Sequence, residues 1–186
     1  MVKKYPNGKA SSHLHSLEPG QTQFFAFAPP CRGYYWLPNK HSHVYLLAGG
    51  AGITPMYQLI QGVLNDPEDR TKITLVHGVN TKDDFVLSEE LDGFKTRFPD
   101  RFNVVRTVSS VEDDGTAPSS FHKGHITEPL LRQVMKGPAE GNVKVFVCGP
   151  PGMEASLLGS NRRCGNGNGM GILGRLGYTK EQIYKF

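Results

Sequence analysis

The sequence has few cysteines and no paired ones. Cys31, Cys148 and Cys164 are the only three among 186 residues, and no CxxC occurs. That excludes a cysteine metal knuckle and a vicinal redox pair. An odd, sparse set also argues against a disulfide scaffold and for a reducing compartment. The seven histidines never fall as HxxxH on a helical pattern, and His13 and His15 form an isolated HxH, so no zinc site is expected. No apolar run approaches the roughly 18 residues of a membrane span. No secretory or transit signature opens the chain, so any anchor is expected to lie outside it. Basic residues never cluster five in a row, and the net charge of +4 is mild. An acidic partner or anionic ligand is compatible with that charge; nucleic acid is not demanded. The phosphate loop GxxxxGK[ST] is missing, and the glycine turn at residues 49–55 also misses GxGxxG, since Pro55 falls where the last glycine belongs.

What is present changes character near residue 40. Residues 1–40 are dense in glycine, proline and aromatics, and "QTQFFAF" after the "EPG" turn reads as a strand. Only two or three strands fit there, too few to be stable alone. From residue 43 strand and helix patterns alternate. "HVYLLA", "KITLVHGV", "RFNVVRTVS" and "VKVFVCG" read as strands. Met56, Leu59, Ile60, Val63 and Leu64 recur at helical spacing after the first. Ser88 is expected to cap a helix carrying Leu91, Phe94 and Phe98, and Thr127 a short one carrying Leu130, Leu131 and Val134. "PPGMEASLLGS" opens another. Strands apolar on both faces, separated by helices, predict an α/β fold: a parallel sheet with helices on both sides. Residues 111–120 read as an exposed loop and 159–174 as a flexible Gly-rich insertion.

Ligands on such sheets bind beyond the carboxyl ends of the strands. Two turns are expected there: Ala48 to Pro55 and Cys148 to Met153. In "AGGAGITP", Gly49, Gly50 and Gly52 let a ligand approach bare backbone. Thr54 is expected as N-cap and Pro55 at the first helical position. Amides freed at such a helix start favour a diphosphate. In "VFVCGPPGM", Cys148 places a polarisable thiol where a planar ring could rest, with no neighbouring base to make it a nucleophile. Asp83 and Asp84 follow the second strand, where an acid accepts from ribose hydroxyls and repels a 2′-phosphate, favouring NADH over NADPH. "GKASSHL" offers backbone amides and a hydroxyl to a further phosphate.

In order and separation, "GKASSHL", "GGAGITPMYQL", "CGPPGM" and the final "YKF" resemble the flavin-dependent NADH reductases of the ferredoxin reductase type. "YPNGKASSHLHSLEPGQ", "WLPNKHSHV" and "GYTKEQIYKF" resemble the cytochrome b5 reductases of fungal mitochondria. The likeness covers nearly the whole chain. It implies an incomplete antiparallel flavin barrel in residues 1–40, followed by an NADH-binding domain in 41–186. It implies hydride transfer from NADH to FAD, then single electrons to cytochrome b5, by a monomer at the mitochondrial outer membrane or intermembrane space. By the same likeness Gly8, Lys9, Ala10 and Ser11 face the FAD diphosphate, and Val2, Lys3 and Tyr5 approach the ribityl and diphosphate part. Thr54 lies between flavin and nicotinamide. Gly49, Gly50, Gly52, Asp84, Cys148, Gly149, Pro150 and Met153 line the NADH cleft, and Phe186 closes it. Thr54 and Cys148 are the candidate catalytic residues. The family's Arg-x-Tyr-[Thr/Ser] strand is not found before "YPNGK", so an amino-terminally truncated barrel is expected. Two alternatives stay open: a non-catalytic remnant that binds NADH without flavin, and a related reductase domain serving another haem.

Overall fold

The computed structural model describes residues 4, 6–22, 33–110, 121–139, 141–159 and 170–186. The chain divides into two compact units, Met1–Tyr35 and Trp36–Phe186. In the first, α1 (Lys9–His15) starts at Gly8, in extended conformation at φ −75°. Most of the "QTQFFAF" strand, along with Lys3, Tyr5, Cys31 and the 111–120 loop, lies outside the described residues. So do Cys164 and most of the Gly-rich stretch.

The second unit is built on β1 (His43–Gly49), α2 (Ile53–Asn65), β2 (Lys72–Val79), α3 (Ser88–Arg97), β3 (Phe102–Val108), β4 (Phe121–Lys123), α4 (Glu128–Val134), β5 (Val143–Cys148), α5 (Pro151–Leu158), α6 (Ile172–Arg175) and β6 (Ile183–Lys185). The strands form one parallel sheet in the order β4-β3-β2-β1-β5-β6. The chain therefore walks outward from β1 on one side and returns to lay β5 on the other. Strand direction is constant, but the walk reverses between β1 and β5.

β1 is the central strand because it has no polar face. Val44, Tyr45, Leu46, Leu47 and Ala48 are all fully buried. Tyr45 and Leu47 share a core with Val145 and Val147 of β5, Leu130 and Leu131 of α4, Leu157 of α5 and Leu173 of α6. The alternate residues Val44 and Leu46 point to the opposite face. There α2 packs on β1 and β5 with one stripe: Ile53, Met56, Ile60, Val63 and Leu64. Each such buried aliphatic side chain contributes about 1.5–3 kcal/mol, so the strand beneath the turns is firmly seated. Tyr45 keeps its hydroxyl satisfied by accepting the Lys136 backbone N–H at 2.9 Å.

Two helix starts differ from expectation. Gly50–Gly52 form a 3-10 turn that runs directly into α2, so the N-cap is Gly52 and Thr54 lies inside the first helical turn. Ser88 likewise is the first residue of α3; its N-cap is Leu87, in the left-handed region at φ 61°. Glu89 and Glu90 then meet the positive end of the helix.

At the start of the second unit, Trp36 donates its indole N–H to the Asp69 carboxylate at 2.9 Å. Asp69 is fully buried and also accepts from the backbones of Asn39 and Thr71. Burial pushes its carboxyl up, but these hydrogen bonds outweigh burial and hold it below the usual range.

Candidate functional site

The two expected turns meet at the reversal between β1 and β5, where Ala48 pairs with Cys148. They interlock through glycines. A Cβ on Gly52 would collide with the Cys148 carbonyl, a backbone group unable to move aside. One on Gly49 would lie 2.5 Å from Met153 Sδ and 2.7 Å from Pro150 Cδ. One on Gly149 would lie 2.8 Å from Met153 Sδ and 3.1 Å from Gly49 Cα. Gly49, Gly52 and Gly149 are therefore glycines because the turns touch each other.

Gly50 differs. It takes φ +50°, and a Cβ there would meet nothing within 4 Å. It is the place where this turn bares backbone to open space. Just behind it α2, 13 residues long, directs its positive end at the same point. Such a spot suits an anion.

Thr54 does not cap the helix. Its hydroxyl donates to the Ala51 carbonyl at 3.0 Å, so the expected capping bond is replaced by a bond back to the turn. This follows from the helix start having moved forward onto Gly52.

On the β5 side, Cys148 is a free, partly exposed thiol. Burial pushes its pKa up and the Glu154 carboxylate adds to this, with Lys185 opposing. The thiol is therefore protonated at neutral pH and not activated as a nucleophile. Glu154 pairs with Lys185 at 2.6 Å, tying α5 to the end of β6. Phe186 continues that strand: its N–H donates to the Val147 carbonyl at 3.1 Å, and its ring stacks on Phe146. The ring remains 42% exposed beside the carboxyl end of β5.

Asp84 stands beyond the end of β2 in a 3-10 turn, Lys82–Asp84. Its Oδ2 accepts from the Thr81 backbone N–H at 3.1 Å and from the Thr81 hydroxyl at 3.0 Å. This carboxylate shapes its own loop. Asp83 next to it is exposed.

The structure thus brings together Gly49, Gly50, Gly52, Thr54, Cys148, Gly149, Pro150, Met153 and Phe186 at adjoining strand ends. Gly8, Lys9, Ala10 and Ser11 form the start of α1 in the other unit, where the Ser11 hydroxyl donates to the Gly8 carbonyl at 3.3 Å.

One residue absent from the expected set sits beneath the open turn. His77 of β2 is fully buried, and its Nε2 lies 3.3 Å from the Gly50 carbonyl oxygen. Its sequence signal is faint: a histidine, beside Thr74, in the otherwise apolar run "ITLVHGV".

Comparisons with known proteins agree with this geometry. NADH-cytochrome b5 reductase 2 of Aspergillus niger is 43% identical over 187 residues, covering 100% of this chain and 56% of that protein. The protein of the same name from Botryotinia fuckeliana is 44% identical and covered to 52%. The chain spans about half the length of these curated relatives. Among solved structures, the cytochrome b5 reductase domain of Ulva prolifera nitrate reductase superposes with a TM-score of 0.76 at 25% identity, over 96% of this chain and 66% of that one. The CS-b5R domains of human Ncb5or share the fold, with a TM-score of 0.72 at 23% identity, over 100% of this chain and 47% of that one. Residues 46–158 match the family model described as the oxidoreductase NAD-binding domain. That match runs from the middle of β1 to the end of α5, more than half the chain, and through both interlocked turns: the chain belongs to the oxidoreductase NAD-binding domain family.

Proposed function

We propose that the chain is the nicotinamide-binding part of an FAD-dependent NADH reductase that serves cytochrome b5. The observation that carries this is Gly50: a positive-φ glycine with open space at its Cβ position, at the strand reversal and at the start of a 13-residue helix. The relatives named for NADH and cytochrome b5 match the chain from end to end.

The residues fit such a donor. The amides of the Gly50–Gly52 turn and the end of α2 hold its diphosphate. Cys148 and Pro150 offer a flat, weakly polar wall, and the protonated thiol does not compete as a nucleophile. Phe186, pinned by β6 and by the Glu154–Lys185 pair, covers the far side and excludes water. Thr54 holds the turn through its bond to the Ala51 carbonyl. Asp84 orders the loop that receives the adenosine ribose. A flavin bound there would supply the hydride acceptance from NADH and the one-electron donation to haem that the protein's own groups lack. Gly8, Lys9, Ala10 and Ser11, with Lys3 and Tyr5, are the residues assigned to its diphosphate and ribityl part. In this assignment residues 1–40 serve the flavin and 41–186 the nicotinamide. The working site is the mitochondrial outer membrane or intermembrane space, and the working form a monomer. Among the described residues no helix is long and apolar enough to cross a membrane. A second acceptor is favoured by one observation: the Ulva domain of similar fold belongs to a nitrate reductase.

The test is direct. The chain, purified and supplied with FAD, is expected to bind NADH more tightly than NADPH and to reduce cytochrome b5 with NADH. Failure to bind NADH at millimolar concentration would overturn the assignment. NADH binding without any flavin uptake would reduce it to a nicotinamide-binding module.

A further inference from the structure

His77 pairs with Ala48 across β1 and β2, so its side chain lies on the sheet face under the glycine turn. Phe85 packs edge-on against its ring, with centroids 5.2 Å apart. Among the described residues its Nδ1 has no hydrogen-bond partner. A carbonyl oxygen only accepts, so the contact to Gly50 requires the proton on Nε2. Nδ1 is then a bare lone pair in a dry setting. Burial drives the ring's pKa down to about 4, Arg106 pushing the same way against the bond to Gly50. The ring is neutral at physiological pH and locked in one tautomer. Folding alone does not ask for this arrangement, since a phenylalanine would fill the space without an orphaned nitrogen.

The bond acts on the peptide joining Gly50 to Ala51. In a trans peptide the C=O and the following N–H point in opposite directions. Drawing the Gly50 oxygen down to His77 therefore turns the Ala51 N–H up, at an exposed residue. Glycine at φ +50° has little preference of its own between the two peptide orientations. The Ile53 N–H donates to the same Gly50 carbonyl as the 3-10 turn closes, and the buried donor beneath adds a second hold on that orientation.

We propose that His77 is the positioning residue of this turn: its Nε2–H fixes the Gly50–Ala51 peptide so that the Ala51 amide faces the dinucleotide's diphosphate before the ligand arrives. The proposal rests on the nicotinamide reading of the turn, and the test separates the two.

Three forms of the full chain are compared: unaltered, His77→Phe and His77→Gln. Nitrogen NMR of the unaltered ring is expected to show the Nε2-protonated tautomer at neutral pH; the Nδ1-protonated form would overturn the proposal. His77→Phe is expected to keep or raise the unfolding temperature while weakening NADH about tenfold, the scale of one lost hydrogen bond. His77→Gln, which restores an N–H donor, is expected to recover most of that affinity. Equal NADH affinity in all three forms, or no recovery with Gln, would overturn it. If His77→Phe does not fold, His77→Met takes its place as the donor-free form. If the unaltered chain binds no NADH, the nicotinamide reading fails by itself, and amide exchange decides the rest. Faster exchange and split signals at Ala51 in the donor-free form support His77; unchanged signals reject it.

Discussion

The turn after β1 and the turn after β5 touch each other, and both use glycine, yet their glycines answer different demands. Gly49, Gly52 and Gly149 have no room for a methyl group because the other turn's atoms are already there. Gly50 has room where a Cβ would stand and a backbone angle that other residues resist. One set makes a lock; the single exception makes an opening. The lock holds two strand ends at fixed spacing, and the opening displays backbone donors above it. A ligand site of this kind depends on both, but failures of the two should look different.

Breaking the lock is expected to cost most. Gly52→Ala drives a methyl into the Cys148 carbonyl, and neither backbone can yield without moving a central strand. A loss of about 3 kcal/mol or more is expected, seen as a large fall in the denaturant midpoint. A near-unaltered midpoint would mean the turns slide apart freely and no lock exists.

Acid probes what lies under the opening. His77 and His43 are both pushed down to about 4 by burial. Unfolded, each titrates near 6.5. Stability from keeping them neutral is thus fully present above 6.5 and is lost as pH falls from there toward 4. His77 is expected to contribute on the order of 2 kcal/mol to this loss, and the more exposed His43 less. Equilibrium unfolding at pH 7 and pH 4.5 measures the sum. His77→Phe should remove the larger share of it and leave that of His43; an unchanged pH dependence in that variant would show that the ring is not buried neutral.

Gly50→Val addresses the opening with the lock intact. The residue is forced to φ +50°, at a cost of about 1–2 kcal/mol. NADH binding is expected to vanish, since the branch fills the space assigned to the diphosphate. Titration of the folded variant with NADH checks this, and retained affinity would move the diphosphate elsewhere.

The smallest effect belongs to the flanking loop. Asp84→Ala removes both bonds to Thr81 and is expected to cost about 0.5–1 kcal/mol. NADPH should gain relative to NADH. A stability change with an unaltered cofactor ratio would assign Asp84 to loop shape alone.

The sequence displays the sheet's interior well. β1, β2, β3 and β5 are long apolar runs, and their helical partners carry a clear stripe. β4 and β6 escape because three residues, "FHK" and "IYK", contain too little period to be seen. Thr54 and Ser88 look like caps because their types are right, but the preceding turns set the helix starts. Asp84 is legible as an acid after the second strand, but its bonds to Thr81 depend on a 3-10 turn that no propensity announces. The three glycines of the first turn look alike in a string of letters. Their separate duties come from a neighbour far along the chain. His77 stands out as a polar letter in an apolar word, though its partner carbonyl is invisible there.

Trp36 is the chain's only tryptophan, and its ring nitrogen is bonded to a buried carboxylate on the approach to β2. Its emission is therefore a built-in optical gauge of one seam in the larger unit. Excited selectively, it should change colour when that seam opens. Titrations and melts could then follow the seam in unlabelled protein.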